Sequence, residues 1–180
     1  QTNLGFMYQT GQGVLQDYAE AVKWYRLAAD QGVAAAQTNL GFMYQTGQGV
    51  LQDYAEAVRW YRLAADQGFA AAQSNLGSMY YNAEGVLQDY VESARWYQLA
   101  AEQGNAPAHY MLGYMHRLGQ GIIQDNAMAH MWHNIAAANG NEVSGVFRDS
   151  IAEGMTQQAI EQAQAMAREC MSSGYQNCGY

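Results

Sequence analysis

The stretch QTNLGFMYQTGQGVLQDYAEAVRWYRLAADQGFAAA, residues 37–72, decides the fold because it recurs almost unchanged along the chain. Residues 1–36 differ from it at two positions only, 23 and 33. A third copy begins at Gln73 and a looser fourth copy at His109, each 36 residues after the last. Repetition at this period indicates an array of helical units that bury their apolar faces against their neighbours.

The composition favours helices and restricts the class of partner. Of the 180 residues, 49% are hydrophobic and one is proline, which suits helices. The formal net charge of −8 argues against nucleic acid as a partner, because binding to its phosphate backbone needs a basic surface. A basic peptide remains compatible with this charge. No apolar run reaches the roughly 18 residues that a membrane-spanning helix needs.

Each unit is predicted to form a helix (A), a loop and a second helix (B). In the second copy, helix A covers about residues 34–45, with Leu40 and Tyr44 on one face. Gly41 lies within this helix, where glycine costs about 1 kcal/mol relative to alanine. We therefore expect the partner helix to approach Gly41 too closely for a Cβ atom.

The loop and helix B carry their own local signals. Gly47 and Gly49 allow left-handed backbone after helix A. Asp53 and Glu56 predict a capping box, in which the aspartate caps helix B and the glutamate bonds back to the aspartate N–H. Gly68 is expected to end helix B.

Two adjacent stripes of apolar residues run along helix B. Ala57, Tyr61 and Ala64 form one stripe, and Trp60 and Leu63 form the other. We expect one stripe to meet helix A of the same unit and the other to meet the next unit.

Together these positions resemble the Sel-one-like repeat (SLR) family, a relative of the tetratricopeptide repeat. The resemblance covers about residues 1–140 and rests on the patterns A-x-x-x-L-G-x-x-Y, G-V-x-x-D and A-x-x-W-Y-x-x-A-A-x-x-G. In the second copy the matching residues are Ala36, Leu40, Gly41, Tyr44, Gly49, Val50, Asp53, Ala57, Trp60, Tyr61, Ala64, Ala65 and Gly68. The resemblance implies an all-α fold, a right-handed α/α superhelical solenoid. It also implies a role in assembling protein complexes, often in bacterial envelope, secretion or host-interaction systems.

Four hairpins are expected over residues 1–140. Their predicted bounds are 1–32, 33–68, 69–104 and 105–140, and the first helix is expected to be truncated because Gln1 lies inside a repeat. Residues 141–180 are expected to form a degenerate hairpin, a capping helix at about Gln157 to Met171, and a tail. The polar outer side of that last helix is typical of the end of a repeat array.

Cys170 and Cys178 are the two cysteines of the chain. A helix end and a glycine turn at Gly174 would bring them within bridging distance. We predict a disulfide that pins the tail to the capping helix and stabilises the protein by roughly 2–3 kcal/mol. Two unpaired thiols in a cytosolic protein are the alternative. A disulfide favours a periplasmic or secreted location in a bacterium over the cytoplasm.

No catalytic or metal-binding set stands out from the sequence. His130 and His133 are three residues apart and could offer two ligands to a metal, but His133 holds the core position of Tyr61, which favours a structural histidine. The aspartate–glutamate pairs could suggest the paired carboxylates of a glycoside hydrolase, but capping explains their position at the start of each helix B. We therefore predict no catalytic residue, no metal and no cofactor.

By analogy with tetratricopeptide arrays, the helix A positions opposite Leu40 and Tyr44 should line the concave face. The predicted partner-binding residues are Phe6, Thr38, Phe42, Gln45, Ser74, Ser78, Tyr81, Tyr110 and Tyr114. Aromatic anchors flanked by hydroxyl and amide groups suit a peptide or protein partner. The alternative is that Phe42 and Tyr114 are packed between adjacent A helices.

The leading hypothesis is a non-enzymatic scaffold that binds a peptide or protein segment on this concave face, with weak self-association as a further compatible property. One alternative is an enzyme that acts on cell-wall peptides or β-lactams. That activity has been proposed for some cysteine-rich SLR proteins, whose cysteine pair per repeat this chain lacks. Another alternative is a structural adaptor that uses its convex face and loops.

Overall fold

The computed structural model describes residues 1–179, which form ten α-helices and contain no strand. The helices are α1 (Thr2–Thr10), α2 (Tyr18–Ala29), α3 (Ala34–Thr46), α4 (Tyr54–Ala65), α5 (Ala70–Asn82), α6 (Tyr90–Ala101), α7 (Ala106–Leu118), α8 (Asn126–Ala138), α9 (Glu142–Ala152) and α10 (Gln157–Ser172). The predicted all-α class is confirmed.

The chain divides into two compact units, one from Gln1 to Gln88 and one from Asp89 onward. In the first unit, α1 packs on α2, α2 on α3, α3 on α4 and α4 on α5. In the second unit, α6 packs on α7, α7 on α8, and α8 on both α9 and α10. Each unit therefore consists of helices packed against their neighbours in sequence, as expected for helical repeats.

The mid-helix glycines let the two helices of a hairpin approach closely. A Cβ atom at Gly41 would lie 2.8 Å from the ring of Tyr61, and Tyr61 is fully buried. Gly5 and Tyr25 repeat this arrangement in the first hairpin at 2.7 Å. The predicted close approach is confirmed, and it explains why glycine is used in the middle of a helix.

The second glycine of each loop lies against the neighbouring repeat. A Cβ atom at Gly49 would overlap the carbonyl oxygen of Tyr18, and one at Gly85 would overlap that of Tyr54. Tyr18 and Tyr54 are the first residues of α2 and α4, so each loop is in backbone contact with the preceding helix B. This contact, which Gly121 repeats with Tyr90, explains the second loop glycine of the last three copies. The first loop glycine lacks it, and Ala83 replaces that glycine in the third copy.

Asp53 caps α4 as predicted, but the predicted capping box is wrong. The Asp53 carboxylate accepts a hydrogen bond from the Glu56 N–H at 3.0 Å. The Asp53 N–H donates to the carbonyl of Tyr44 at 3.0 Å, and the Glu56 side chain pairs with Arg59 at 2.9 Å. The Glu56 side chain makes no reciprocal bond to the Asp53 N–H, because the carbonyl of Tyr44 in helix A already accepts that hydrogen bond.

The two stripes of helix B differ in burial. Ala57, Tyr61 and Ala64 are fully buried, and Trp60 is 5% exposed. Leu63 is 42% exposed, so its assignment to the second buried stripe is wrong. The exposed residue Arg59 shields part of Trp60 from solvent, because its guanidinium lies 4.1 Å from the centre of the Trp60 ring.

The C-terminal helices α9 and α10 are each capped by a polar side chain. Asn141 caps α9, and Thr156 caps α10 by accepting a bond from the Ala159 N–H at 3.2 Å. The buried residues of α10 are Ala163, Ala167 and Cys170, and the rest of the helix is polar or partly exposed. One side of α10 therefore covers α8 while the other faces water.

Cys170 and Cys178 form the predicted disulfide, with their Cα atoms 4.6 Å apart. The bridged tail places the ring of Tyr175 4.9 Å from the ring of His109. The Asn139 amide donates to the Tyr175 hydroxyl at 3.2 Å. The disulfide therefore holds the tail against α7 and the end of α8, as well as against α10.

Candidate protein-binding surface

The A helices of the first unit expose aromatic side chains opposite their buried faces. Phe6 on α1 is 46% exposed and Phe42 on α3 is 39% exposed. Ser78 and Tyr81 on α5 are half-buried. Exposed aromatic rings of this kind are typical anchors for a protein partner, so these predicted contact residues are accessible to one.

Gln45 connects this exposed face to the core. The Tyr61 hydroxyl donates to Gln45 Oε1 at 2.7 Å, and Gln45 Nε2 donates to the Glu84 carboxylate at 3.0 Å. Burial, with a smaller contribution from Glu84, raises the pKa of Tyr61 above its ordinary value, which keeps the hydroxyl a donor. In the first hairpin, Tyr25 makes the same bond to Gln9 at 2.6 Å. The amide at this position therefore holds neighbouring side chains in place.

Thr38 and Ser74 present almost no surface, with 7% and 6% exposure. The helical pattern places Thr38 on the same side as Phe42, but the first turn of α3 is drawn against α2. There Gln37 Nε2 donates to the carbonyl of Ala29 at 3.2 Å. The first turn of helix A is thus part of the packing between repeats, and its small hydroxyl residues lie inside.

In the second unit, Tyr110 and Tyr114 belong to a cluster that also contains Phe147 and Arg117. The centres of the two tyrosine rings are 6.4 Å apart, and each lies 6.1–6.3 Å from that of Phe147. The Arg117 guanidinium lies 4.9 Å from the centre of the Phe147 ring. All four residues are half-buried, so together they form a partly exposed aromatic surface.

Phe147 was missed by the sequence analysis. It lies on α9, in the degenerate hairpin that lacks the repeat signature, so no repeat position could be assigned to it. The available signal was an aromatic residue within the short apolar pattern of Val143, Val146 and Phe147 on a predicted helix.

His133 lies beneath this aromatic cluster and is fully buried. Its ring centre is 5.3 Å from that of Phe147, and a Cβ atom at Gly113 would lie 2.9 Å from its ring. Desolvation, followed by the nearby charge of Arg117, lowers the pKa of His133 to about 4. Among the described residues, neither ring nitrogen has a hydrogen-bond partner. The ring therefore packs as a neutral aromatic group in the position that Tyr61 holds in the second hairpin.

The two surfaces present aromatic rings beside an amide in the first unit and a guanidinium in the second. Within residues 1–179, no three His, Cys, Asp or Glu side chains are grouped as metal ligands would be. His130, beside His133 on α8, is also buried, and desolvation lowers its pKa. None of the helices described combines the length and hydropathy needed to cross a bilayer. The exposed rings and their polar neighbours offer apolar contacts and hydrogen bonds to a partner.

Comparison with known families gives four matches to one model, described as the Sel1 repeat. The matched residues are 1–33, 34–69, 70–105 and 106–141. The matches follow one another without gaps and cover most of the chain.

Two of the solved structures that are similar to this chain show what it resembles. One is a protective antigen present in uropathogenic Escherichia coli strains that displays an SLR fold; it is 38% identical over 99% of this chain, with a TM-score of 0.82. The other is a Sel1 repeat protein from Oxalobacter formigenes, 30% identical over 94% of this chain and 86% of its own length, with a TM-score of 0.77. This chain spans 42% of the length of the E. coli antigen. No curated protein matches the chain.

Proposed function

This chain belongs to the Sel1 repeat family, whose members generally mediate protein–protein interactions, and from this we propose that it is a non-enzymatic scaffold for a peptide or protein segment. The segment binds to the exposed side of the A helices, where the predicted concave face lies.

The observation that carries the proposal is the cluster of Tyr110, Tyr114, Phe147 and Arg117. Tyrosine and arginine are enriched among the residues that dominate binding energies at protein interfaces. The three rings and the guanidinium already restrain one another, so little side-chain entropy remains to be lost when a partner binds. Phe42 supplies a comparable exposed ring in the first unit.

The proposal is tested with peptides that cover bacterial envelope proteins, screened by fluorescence and confirmed by calorimetry. For a peptide that binds, the loss of an aromatic anchor should weaken binding by about tenfold, through Phe42→Ala when the peptide occupies the first unit and through Tyr114→Ala when it occupies the second. Val91→Ala is the matched control, because Val91 is an apolar residue with 64% exposure on helix B of its repeat. Binding that is unchanged in both aromatic variants would exclude the helix A surface.

We further propose a periplasmic or secreted setting in a bacterium. The support is the Cys170–Cys178 disulfide, since such bridges persist in oxidising compartments, together with the similarity to an E. coli antigen. Alkylation of free thiols in intact native cells, followed by mass spectrometry, should find both cysteines protected. A fully alkylated pair would contradict this location.

A further inference from the structure

One aliphatic side chain per repeat is almost fully exposed at the same loop position. Leu15 is 90% exposed, Leu51 88%, Leu87 90% and Ile123 87%. A single exposed leucine on a protein surface is ordinary. Here the fourth repeat has diverged at many positions and still carries an aliphatic residue at this one. The side chain buries little surface within its own unit, so the packing of the fold does not account for it.

The loops hold these side chains outward on a fixed backbone. Gln52, which follows Leu51, donates to the carbonyl of Gln45 at 2.7 Å and to the hydroxyl of Tyr54 at 3.1 Å. Val50, which precedes Leu51, is half-buried. The same glutamine-to-carbonyl bond follows the leucines of the first and third loops, at 2.8 and 2.9 Å. The leucines are therefore presented by an ordered loop.

Consecutive loops of the first unit are also connected to one another. The backbone at Gly49 touches Tyr18, the first residue of the helix that follows the first loop. The backbone at Gly85 touches Tyr54 in the same way. The three leucines of this unit therefore follow one another along one side of it, which we call the leucine edge (Leu15, Leu51 and Leu87).

The leucine edge lies in an acidic part of the chain. Residues 9–22, 45–58 and 81–88 contain no Lys, Arg or His, and their acidic residues are Asp17, Glu20, Asp53, Glu56 and Glu84. Glu20 and Glu56 form ion pairs with Lys23 and Arg59, which lie one turn further along helix B. The carboxylates of Asp17 and Asp53 cap helix B, and that of Glu84 accepts a hydrogen bond from Gln45. Their charges are left in excess, since the whole chain has a net charge of −8.

We propose that the leucine edge docks a basic amphipathic segment of a partner protein. The apolar side chains of that segment cover the three leucines, and its lysine or arginine residues face the adjacent carboxylates. Opposite charge speeds the encounter and excludes acidic partners, while leucine burial supplies the affinity. An anionic lipid surface would be repelled by the same carboxylates. This docking site is separate from the helix A surface of the proposed function.

The test uses a synthetic amphipathic helical peptide of leucine and lysine, with a leucine–glutamate peptide of the same pattern for comparison. Binding is measured by fluorescence anisotropy with the whole chain and with the triple variant Leu15→Ser, Leu51→Ser, Leu87→Ser. We expect the lysine peptide to bind the unchanged chain and the triple variant to bind it about tenfold or more weakly. The glutamate peptide should bind neither protein.

The matched control is the double variant Leu27→Ser, Leu63→Ser, which removes leucines that are 49% and 42% exposed on α2 and α4. It carries the same charge and should bind the lysine peptide like the unchanged chain. Equal binding by the triple variant would show attraction to an acidic protein in general, and an equal loss in the control would show that exposed leucines bind the peptide without a defined site. Either result would overturn the proposal. Dimerisation in sedimentation experiments that the triple variant abolishes would also overturn it, because the occupant would then be a second copy of this chain.

Three further measurements complete the test: two distinguish the leucine edge from the helix A surface and from a membrane-binding site, and one checks that the triple variant is folded. The variants Tyr114→Ala and Phe42→Ala should leave binding of the lysine peptide unchanged, so that failure at the leucine edge is distinct from failure at the helix A surface. Circular dichroism should show the triple variant folded, since its substituted side chains are almost fully exposed. Binding of the unchanged chain to anionic vesicles, lost in the triple variant, would assign the edge to a membrane and contradict a protein partner.

Discussion

At Gly49, the absence of a side chain permits two repeats to touch. Its φ of 70° is left-handed, which disfavours other residues, but Ala83 adopts a φ of 60° in the third loop. Left-handed backbone alone therefore does not demand glycine in these loops. What distinguishes Gly49 is the carbonyl of Tyr18, which occupies the place of a Cβ atom.

This difference predicts unequal effects of two glycine substitutions. Gly68 has a φ of 83° and no atom within 4 Å of its missing Cβ, so Gly68→Ala should cost only the left-handed conformation, about 1 kcal/mol. Gly49→Ala must also separate two backbones, and we expect a loss of about 3 kcal/mol or more. Chemical denaturation of both variants measures the free energies of unfolding. Equal losses of stability in the two variants would show that the left-handed conformation, and not the contact with Tyr18, explains why residue 49 is glycine.

His109 shows how one side chain replaces another in a buried polar position. In the second repeat, Gln37 donates to a carbonyl of the preceding helix B at 3.2 Å and accepts from Gln67 at 2.7 Å. In the fourth repeat, His109 Nε2 lies 3.1 Å from the corresponding carbonyl, and its Nδ1 lies 3.4 Å from the amide nitrogen of Asn139. The network assigns the proton to Nε2. A neutral imidazole, with one donor and one acceptor, thus replaces the donor and acceptor of an amide.

Among the elements, helix B starts in the same way in the first, second and fourth hairpins, with its cap tied to helix A. The N–H of Asp17, Asp53 or Asp125 donates to a carbonyl near the end of the preceding helix A, at 2.9–3.0 Å. In the fourth hairpin, Asp125 still accepts from the N–H of Met128 at 3.0 Å, although no glutamate follows. The aspartate therefore caps helix B without help from a glutamate.

Separate substitutions of Asp53 and Glu56 should distinguish the stability that the aspartate cap contributes from the stability that the glutamate contributes. Asp53→Ala should lower the free energy of unfolding by about 1 kcal/mol, because an N–H at the start of α4 loses its acceptor. Glu56→Gln should cost only a few tenths of a kcal/mol, since it weakens an exposed ion pair with Arg59. Thermal or chemical denaturation of the two variants makes the comparison. A larger loss for Glu56→Gln would show that the ion pair with Arg59 contributes more to stability than the aspartate cap.

At the scale of the molecule, the four histidines all lie in the second unit, and all are buried. Desolvation lowers the pKa of each below 6.5 and that of His133 to about 4. The titratable and charged groups that affect them are Arg117, Asp125, Arg148 and Asp149, with His130 also acting on His133. Lowered pKa values mean that the unfolded chain binds protons more readily than the folded chain below pH 6.5.

We therefore predict that acid destabilises the second unit selectively. Its stability should be at its full value above about pH 6.5 and fall as the pH drops towards 4, with His133 alone accounting for about 2 kcal/mol at pH 5 and about 3 kcal/mol near pH 4. Residues 1–88 contain no histidine and should keep their stability over this range. Hydrogen exchange, read separately for the two units at pH 7 and pH 5, measures the effect.

His133→Phe is the control for this prediction. Phenylalanine preserves an aromatic ring against Gly113 and Phe147 but cannot be protonated, so the pH dependence of the second unit should become shallower. A profile that is unchanged in this variant would mean that another group is responsible.

A structural feature could be predicted from the sequence when the residues that form it lie close together along the chain. The hairpin of α3 and α4 follows from Leu40, Gly41 and Tyr44 on one side and the Asp53 cap on the other. By contrast, Thr38 looked like a surface residue until the position of α2 was known. The partner-binding role of the accessible residues, Phe6 and Phe42 among them, stays a prediction.

The sequence by itself determined the all-α class, the helices with their caps and turns, and the bridge between Cys170 and Cys178. These depend on residues within one 36-residue period, where backbone preferences and side-chain periodicity suffice. Only the tertiary structure decided that Phe147 joins Tyr110 and Tyr114, and that a neighbouring helix, and not Glu56, satisfies the cap of helix B. Both outcomes depend on contacts between different helices, whose packing settles which polar groups find partners and which side chains reach the surface.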